Sequence, residues 1–123
     1  GIINWKQNIN SNLRSTVIDD LIYTVTLEGY LIVIDSIRGN ILRITNIFDR
    51  FKKSKRNEIK PVGFVVGQDK IYLSLDNGKL LIINTLDGKT IEVAKITGSK
   101  ISRPHIFNKK MYLIKDNAIV RIN

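Results

Sequence analysis

Two stretches of this chain repeat position for position at a spacing of 49 residues. Tyr23 matches Tyr72, Gly29 matches Gly78, Leu31 matches Leu80, Ile34 matches Ile83 and Gly39 matches Gly88. A third copy opens at Met111-Tyr112-Leu113, 40 residues after Ile71-Tyr72-Leu73, and sets Asp116-Asn117 over Asp76-Asn77. One such unit cannot bury its hydrophobic face alone, so copies must stack. A period of about 40–50 residues is that of a propeller or a comparable repeat array.

The unit is made of strands. Ile, Val, Leu and Tyr abound, while Ala94 and Ala118 are the only alanines; β-branched and aromatic side chains suit a pleated, half-buried surface and few residues here favour helix. The clearest strands are expected at residues 21–27, 70–75 and 110–115. Turns at Leu27-Glu28-Gly29-Tyr30, Asp76-Asn77-Gly78-Lys79 and Lys115-Asp116-Asn117-Ala118 lead into second strands at 30–35, 79–84 and 118–122. Asn-Gly between apolar runs is a strong hairpin signal because its residues tolerate positive φ. Ala118 tolerates it badly, so the third turn is expected to shift by one residue. Weaker strands precede each pair, at 15–18, 62–67 and 105–107, and others follow the Gly turns, at 40–44 and 90–96. Each full copy thus holds four antiparallel strands. Leu31-Ile32-Val33-Ile34 and Leu80-Leu81-Ile82-Ile83 are continuous apolar runs, the pattern of a sheet covered on both faces.

The first copy carries an insertion of nine residues within positions 46–60. Ile47, Phe48 and Phe51 can share one face of a helical turn capped by Asn46, with Asp49 three residues on, so a short helix is expected there.

At this level of detail the sequence resembles a family. Gly1-Ile2-Ile3-Asn4-Trp5-Lys6 looks like the end of a pyrroloquinoline-quinone-type propeller repeat, in which Gly precedes Trp by four positions. Leu31 to Gly39 and Leu80 to Gly88 look like that family's strand, Asp and Gly turn. The order of pieces is similar to the C-terminal part of BamB-like outer-membrane assembly lipoproteins, which are eight-bladed propellers. Two features depart from the pattern. Arg43 and Glu92 stand where the repeat Trp would recur, and the Asp19-Asp20 turn is short.

The resemblance implies an all-β, partial β-propeller of about two and a half blades. Residues 1–13 are assigned to the last strand of one blade, 14–60 to a blade with the basic insertion 46–60, 61–100 to a blade, and 101–123 to a partial blade. The chain start looks truncated, so that an upstream signal or lipid site is an open question. The implied function is a non-catalytic protein-binding scaffold docking a barrel-assembly partner. The implied place is the periplasm or the periplasmic face of the outer membrane, with the cytoplasm left open. A rival implication is a piece of a quinone-dependent dehydrogenase. A third is a fragment with no activity of its own.

The residues themselves offer little chemistry. The chain has no Cys, and His105, beside Pro104, is its single His. Metal sites and acid–base catalysis need several ligands or an oriented His, so no metal, cofactor or catalytic residue is assigned. Asp19-Asp20, Asp76-Asn77 and Asp116-Asn117 read as turn formers, because a calcium loop needs alternating oxygen ligands and a closing Glu. No nucleophile elbow or phosphate loop is present. No apolar run has the length of a membrane span.

What stands out is charge. The net charge is +9, from 20 Lys and Arg against 11 Asp and Glu, and a basic surface attracts acidic partners. Arg50, Lys52, Lys53, Lys55 and Arg56 in the insertion form the candidate anion or partner contact. They are expected to be exposed on a mobile loop, whose simplest role is solvation. Specific nucleic-acid binding is not expected, because a basic patch alone is a weak signal and the aromatic stacking pattern of single-strand binders is missing. Ile22, Leu31, Val33, Ile71, Leu73, Leu80, Ile82, Met111 and Leu113 are expected in the core. The sheet edges near residues 1–6 and 118–123 are expected to lack partner strands and to drive self-association.

Overall fold

The computed structural model describes residues 2–122. It contains three antiparallel sheets formed by consecutive strands. The first is β1 (Thr16–Ile18), β2 (Leu21–Val25), β3 (Tyr30–Asp35) and β4 (Ile41–Asn46); a single-turn helix, α1 (Lys53–Arg56), follows. The second sheet is β5 (Pro61–Gly67), β6 (Lys70–Leu75), β7 (Lys79–Asn84) and β8 (Thr90–Lys95). The third has three strands, β9 (His105–Phe107), β10 (Lys110–Lys115) and β11 (Ala118–Ile122). Strands take up about half of the chain, as the repeat requires.

Register shows why the repeat dictates this form. Ile22 pairs with Ile34 in the first sheet, Ile71 with Ile83 in the second and Met111 with Ile122 in the third. The fourth strand begins with the same irregularity twice, between Val33 and Ile34 and between Ile82 and Ile83. Gly29 (φ 93°) and Gly78 (φ 81°) close the central hairpins of the first two sheets. In the third, the turn has moved one residue earlier, as expected from Ala118: Asp116 (φ 50°) and Asn117 (φ 63°) take the left-handed positions.

The core lies between the first two sheets. Val25, Leu31 and Val33 from one side pack with Phe64, Ile71, Leu73, Leu81 and Ile83 from the other. Alternation places Tyr72, Ser74, Leu80 and Ile82 on the opposite face of the second sheet, toward the third. Side chains of the third sheet's approach reach this face: Arg103 lies across Gly63, with its Nε donating to the Phe64 carbonyl at 2.9 Å, and Ile106 covers Gly67. Of the expected core, Leu31, Val33, Ile71, Leu73, Leu80 and Leu113 are buried. Ile22, Ile82 and Met111 are only half-buried. Ile22 sits under an open chain segment instead of a sheet, and Met111 lies at the rim of a cleft with Tyr72 and Ile106.

Ser74 is fully buried on that second face and its hydroxyl has no partner, where the first sheet places Val25. A buried polar atom left unsatisfied costs about 1–3 kcal/mol. We therefore expect Ser74→Ala to raise stability by about 1 kcal/mol in urea unfolding at constant m-value. A loss of stability would show that the hydroxyl is satisfied.

Two expectations need correction. Residues 2–13 form no strand. A fourth strand needs the third strand of its own sheet to fill its hydrogen-bond ladder, and the described residues hold none for this segment. It instead lies across the open face of the first sheet, where Trp5, Gln7, Ile9, Ser11 and Leu13 line one cleft with Ile22, Thr24 and Ile34. The Asn10 carbonyl accepts from the Leu27 amide at 2.9 Å, and the Ser11 hydroxyl donates to the Val25 carbonyl. The helix also lies elsewhere than expected. Residues 47–50 form turns, with Asn46 Oδ1 accepting from the Phe48 amide at 2.9 Å, and the helical turn falls at Lys53–Arg56 without a side-chain cap. Ile47 and Phe48 are drawn fully into the core, with the Ile47 amide on the Gly29 carbonyl, so they cannot serve as an exposed helix's inner stripe.

The departures from the repeat Trp have a structural answer. Trp5 lies flat on Gly39 and its indole Nε1 donates to the Ser36 carbonyl at 2.9 Å. One sheet later, Arg43 reaches Gly88, and its guanidinium donates to the Thr85 carbonyl at 2.7 Å and to the Leu86 carbonyl. Ser36 and Thr85 are repeat equivalents, so Arg43 does the bridging that the indole does at the preceding position.

Candidate functional site

The basic insertion folds back against the second sheet. Phe48 and Phe51 meet edge-to-face, with ring centroids 5.7 Å apart. This aromatic pair anchors the loop, since Phe48 is fully buried against Gly29. From there the chain makes α1, and the Glu58 and Ile59 amides close onto the carbonyls of Lys55 and Arg56. Ile59 is buried and leads into β5. Between the loop and the β6–β7 hairpin lies a cleft of about 440 Å³.

Arg50, Lys52 and Lys55 line this cleft from the insertion, and Lys79 and Asn77 line it from the hairpin. Phe51 forms part of the wall, with the Lys79 ammonium 5.3 Å from its ring centroid. Glu58 is the single acid on the wall; it pairs with Lys55 at 3.8 Å, with both side chains well exposed. An exposed pair of this kind contributes little stability and leaves Lys55 available to compete for another anion. The cleft therefore presents four cations against one carboxylate. Among titrating groups, Glu28 has its carboxyl held below the usual range, first by the Asn10 side-chain amide and then by its own backbone amide. It belongs to the β2–β3 turn and does not line the cleft.

The five residues singled out from sequence thus divide. Arg50, Lys52 and Lys55 come together at the cleft, while Lys53 is exposed outside its lining. Arg56 corrects the expectation of full exposure. It is half-buried, because its Nε donates to the Phe51 carbonyl at 3.0 Å and a terminal nitrogen donates to the Asp49 carbonyl at 3.2 Å. Its work is to hold the loop. Lys79 was not visible as a member from sequence, because it belongs to a hairpin in another repeat. The signal that could have found it is the fold-back of the insertion over its neighbour's Asn-Gly turn.

A second cleft, of about 310 Å³, opens between the β5–β6 and β9–β10 turns and is lined by Gln68, Asp69, Lys70, Tyr72 and Lys109 among others. Its mixed charges favour no ligand class. Among the described residues there is no group of three or more His, Cys, Asp or Glu side chains placed to hold a metal ion. Among the described residues no helix is long and apolar enough to cross a membrane.

No protein-family model matches the chain, and no curated protein sequence matches it. Solved structures do. BamB from Moraxella catarrhalis superposes with a TM-score of 0.70 at 17% identity over 93% of this chain. The quinohemoprotein alcohol dehydrogenase ADHIIG from Pseudomonas putida HK5 gives 0.64 at 17% identity over 89% of the chain. The Cps50 (Swd1) β-propeller domain of Myceliophteria thermophila gives 0.62 at 12% identity over 76%. The chain spans only 32%, 17% and 31% of these proteins, respectively. At such identities the likeness is one of fold: the chain is a partial β-propeller whose three sheets are similar to blades of BamB and of a quinohemoprotein dehydrogenase.

Proposed function

We propose that this chain is a non-catalytic protein-binding scaffold whose basic cleft receives an acidic segment of a partner. The observation that carries this reading is the convergence of Arg50, Lys52, Lys55 and Lys79 around one cleft with an aromatic wall. Cations held in one place by a packed loop focus field on a ligand more than the same charges spread over a surface. The fold likeness to BamB, together with the repeat resemblance to outer-membrane assembly lipoproteins, supports a barrel-assembly type of partner. It likewise supports a place in the periplasm or at the periplasmic face of the outer membrane. The same reading includes self-association of the chain through its open sheet edges.

The test uses poly-glutamate as the acidic probe. Binding should be saturable and should weaken as salt rises, since exposed charges are screened beyond about 10 Å at 0.1 M. Replacing Arg50, Lys52, Lys55 and Lys79 together by Gln should abolish it with the circular dichroism spectrum unchanged. Lys53→Gln should have little effect. Equal binding by the quadruple variant would show that the acidic probe binds elsewhere than the cleft. The likeness to the dehydrogenase supports a second reading, a piece of a quinone enzyme. Saturable binding of pyrroloquinoline quinone in the presence of calcium would favour that reading over the scaffold.

A further inference from the structure

The cations of the basic cleft flank an aromatic ring. Arg50 and Lys52 are the chain neighbours of Phe51, and Lys79 reaches the same ring from the β6–β7 hairpin, its ammonium 5.3 Å from the centroid. Phe51 lines the cleft together with Ile59, so the wall between the charges is apolar. The lysine stems extend that wall, because a lysine covers apolar surface with its methylenes while its ammonium stays in water. Among the described residues, Lys55 is the one cation of the cleft that is paired with a carboxylate.

The ring is fixed in place. Phe48 meets it edge-to-face at 84° and is itself fully buried. The Phe51 amide donates to the Phe48 carbonyl at 3.0 Å, and the Phe51 carbonyl accepts from Arg56 Nε at 3.0 Å. A side chain already held this way loses little freedom when a ligand covers it. The cleft volume of about 440 Å³ falls within the roughly 300–1,000 Å³ of ligand pockets, well beyond what one carboxylate fills. Carboxylates alone would answer the cations and leave Phe51 wet.

We propose that the acidic segment received by the cleft carries an aromatic side chain between its carboxylates. The aromatic side chain packs on Phe51, while the carboxylates meet Arg50 and Lys52 on the insertion and Lys79 on the hairpin. This rests on the acidic-partner reading above and specifies the partner's chemistry. The occupant is another protein and not a second copy, since no aromatic residue of this sequence has an acid within two residues on both sides. Single-stranded nucleic acid also combines anions with rings, but its bases stack on the faces of successive aromatic side chains. Here Phe51 is the sole aromatic side chain of the cleft, and Lys79 lies over its face. A peptide aromatic can instead approach edge-to-face, a preferred geometry for such pairs.

Two peptides matched in charge test this, Glu-Glu-Phe-Glu-Glu and Glu-Glu-Ala-Glu-Glu, each titrated into the protein at one salt concentration and followed by NMR. The Phe peptide should bind about tenfold tighter, the scale of an aromatic pair together with the apolar area it buries. Phe51→Leu should cut that preference to about threefold or less, and Lys79→Gln should weaken both peptides. If the Leu variant fails to fold, the unsubstituted chain still reports: the Phe peptide should shift the Ile59 methyl resonances by its ring current, and the Ala peptide should not. Equal Kd values for the two peptides overturn the aromatic requirement alone and leave the acidic-partner reading standing. Binding of neither overturns both. A preference that persists in Phe51→Leu, with no shift at Ile59, puts the aromatic contact elsewhere and overturns the proposal. An oligothymidylate matched in charge that binds tighter than the Phe peptide, and loses that affinity in Phe51→Leu, assigns the cleft to single-stranded nucleic acid and overturns it as well.

Discussion

Leu73→Ala is expected to lower the unfolding free energy by about 2–5 kcal/mol, the range for a buried leucine that leaves a cavity. Leu73 is fully buried at the centre of β6, paired with Phe64 on one side and Leu81 on the other. It faces the first sheet, within a cluster that includes Val25 and Val33. Four strands and a second sheet hold the walls of the site, so little collapse into the void is possible. For a small domain this is a large share of a total stability of about 5–15 kcal/mol. Leu73→Met, which conserves volume, should cost less than about 1.5 kcal/mol. Urea unfolding of the two variants checks both; a loss under about 0.5 kcal/mol for Leu73→Ala would place the side chain at the surface and shift the strand register.

Gly78→Ala should destabilise by at least about 2 kcal/mol, from two independent causes. The residue has φ of 81°, which an L side chain adopts at a cost of about 1–2 kcal/mol. A Cβ there would also stand 2.2 Å from the Thr97 carbonyl oxygen and 2.5 Å from that of Ser99. Those are backbone atoms. They cannot swing aside, because the Gly78 carbonyl itself accepts from the Ile96 and Thr97 amides and holds that segment in place. Gly98 provides the control: a Cβ would meet nothing within 4 Å, so Gly98→Ala should stay within about ±0.5 kcal/mol. Equal costs at the two positions, measured by thermal unfolding, would contradict the hairpin packing.

Gly78 marks where sequence and structure meet most directly. Apolar runs bracketed by turn residues were enough to place β3, β6, β7, β9, β10 and β11 to the residue, because turn chemistry and strand patterning are both local. Residues 2–13 were misread as a strand for a reason that is also physical. Their pattern is a strand's, but a strand exists only with a partner, and the ladder depends on residues remote in sequence. The helix was misplaced for a related reason. Ile47, Phe48 and Phe51 have helical spacing, yet Gly29 and the Thr90 hydroxyl, which donates to the Ile47 carbonyl at 2.9 Å, hold that segment in the core. At the cleft, the cations of the insertion were legible as a charge run. Their division was not. Arg56 turns inward to two carbonyls, and Lys79 joins from another repeat, and both facts depend on how the loop folds over its neighbour. Arg43 looked like a loss of the repeat Trp, and only the carbonyls of Thr85 and Leu86 show that the bridge is kept.

Three successive sheets are joined face to face by side chains that reach from one repeat to a glycine of its neighbour. Nuclear Overhauser contacts at those glycines test it most directly. Cross-peaks are expected from the Trp5 indole to the Gly39 α-protons, from the Arg43 side chain to Gly88, from Arg103 to Gly63 and from the Ile106 methyl to Gly67. Strong hairpin contacts within each sheet, with none of these four, would mean that the hairpins form without stacking as blades, and would contradict it.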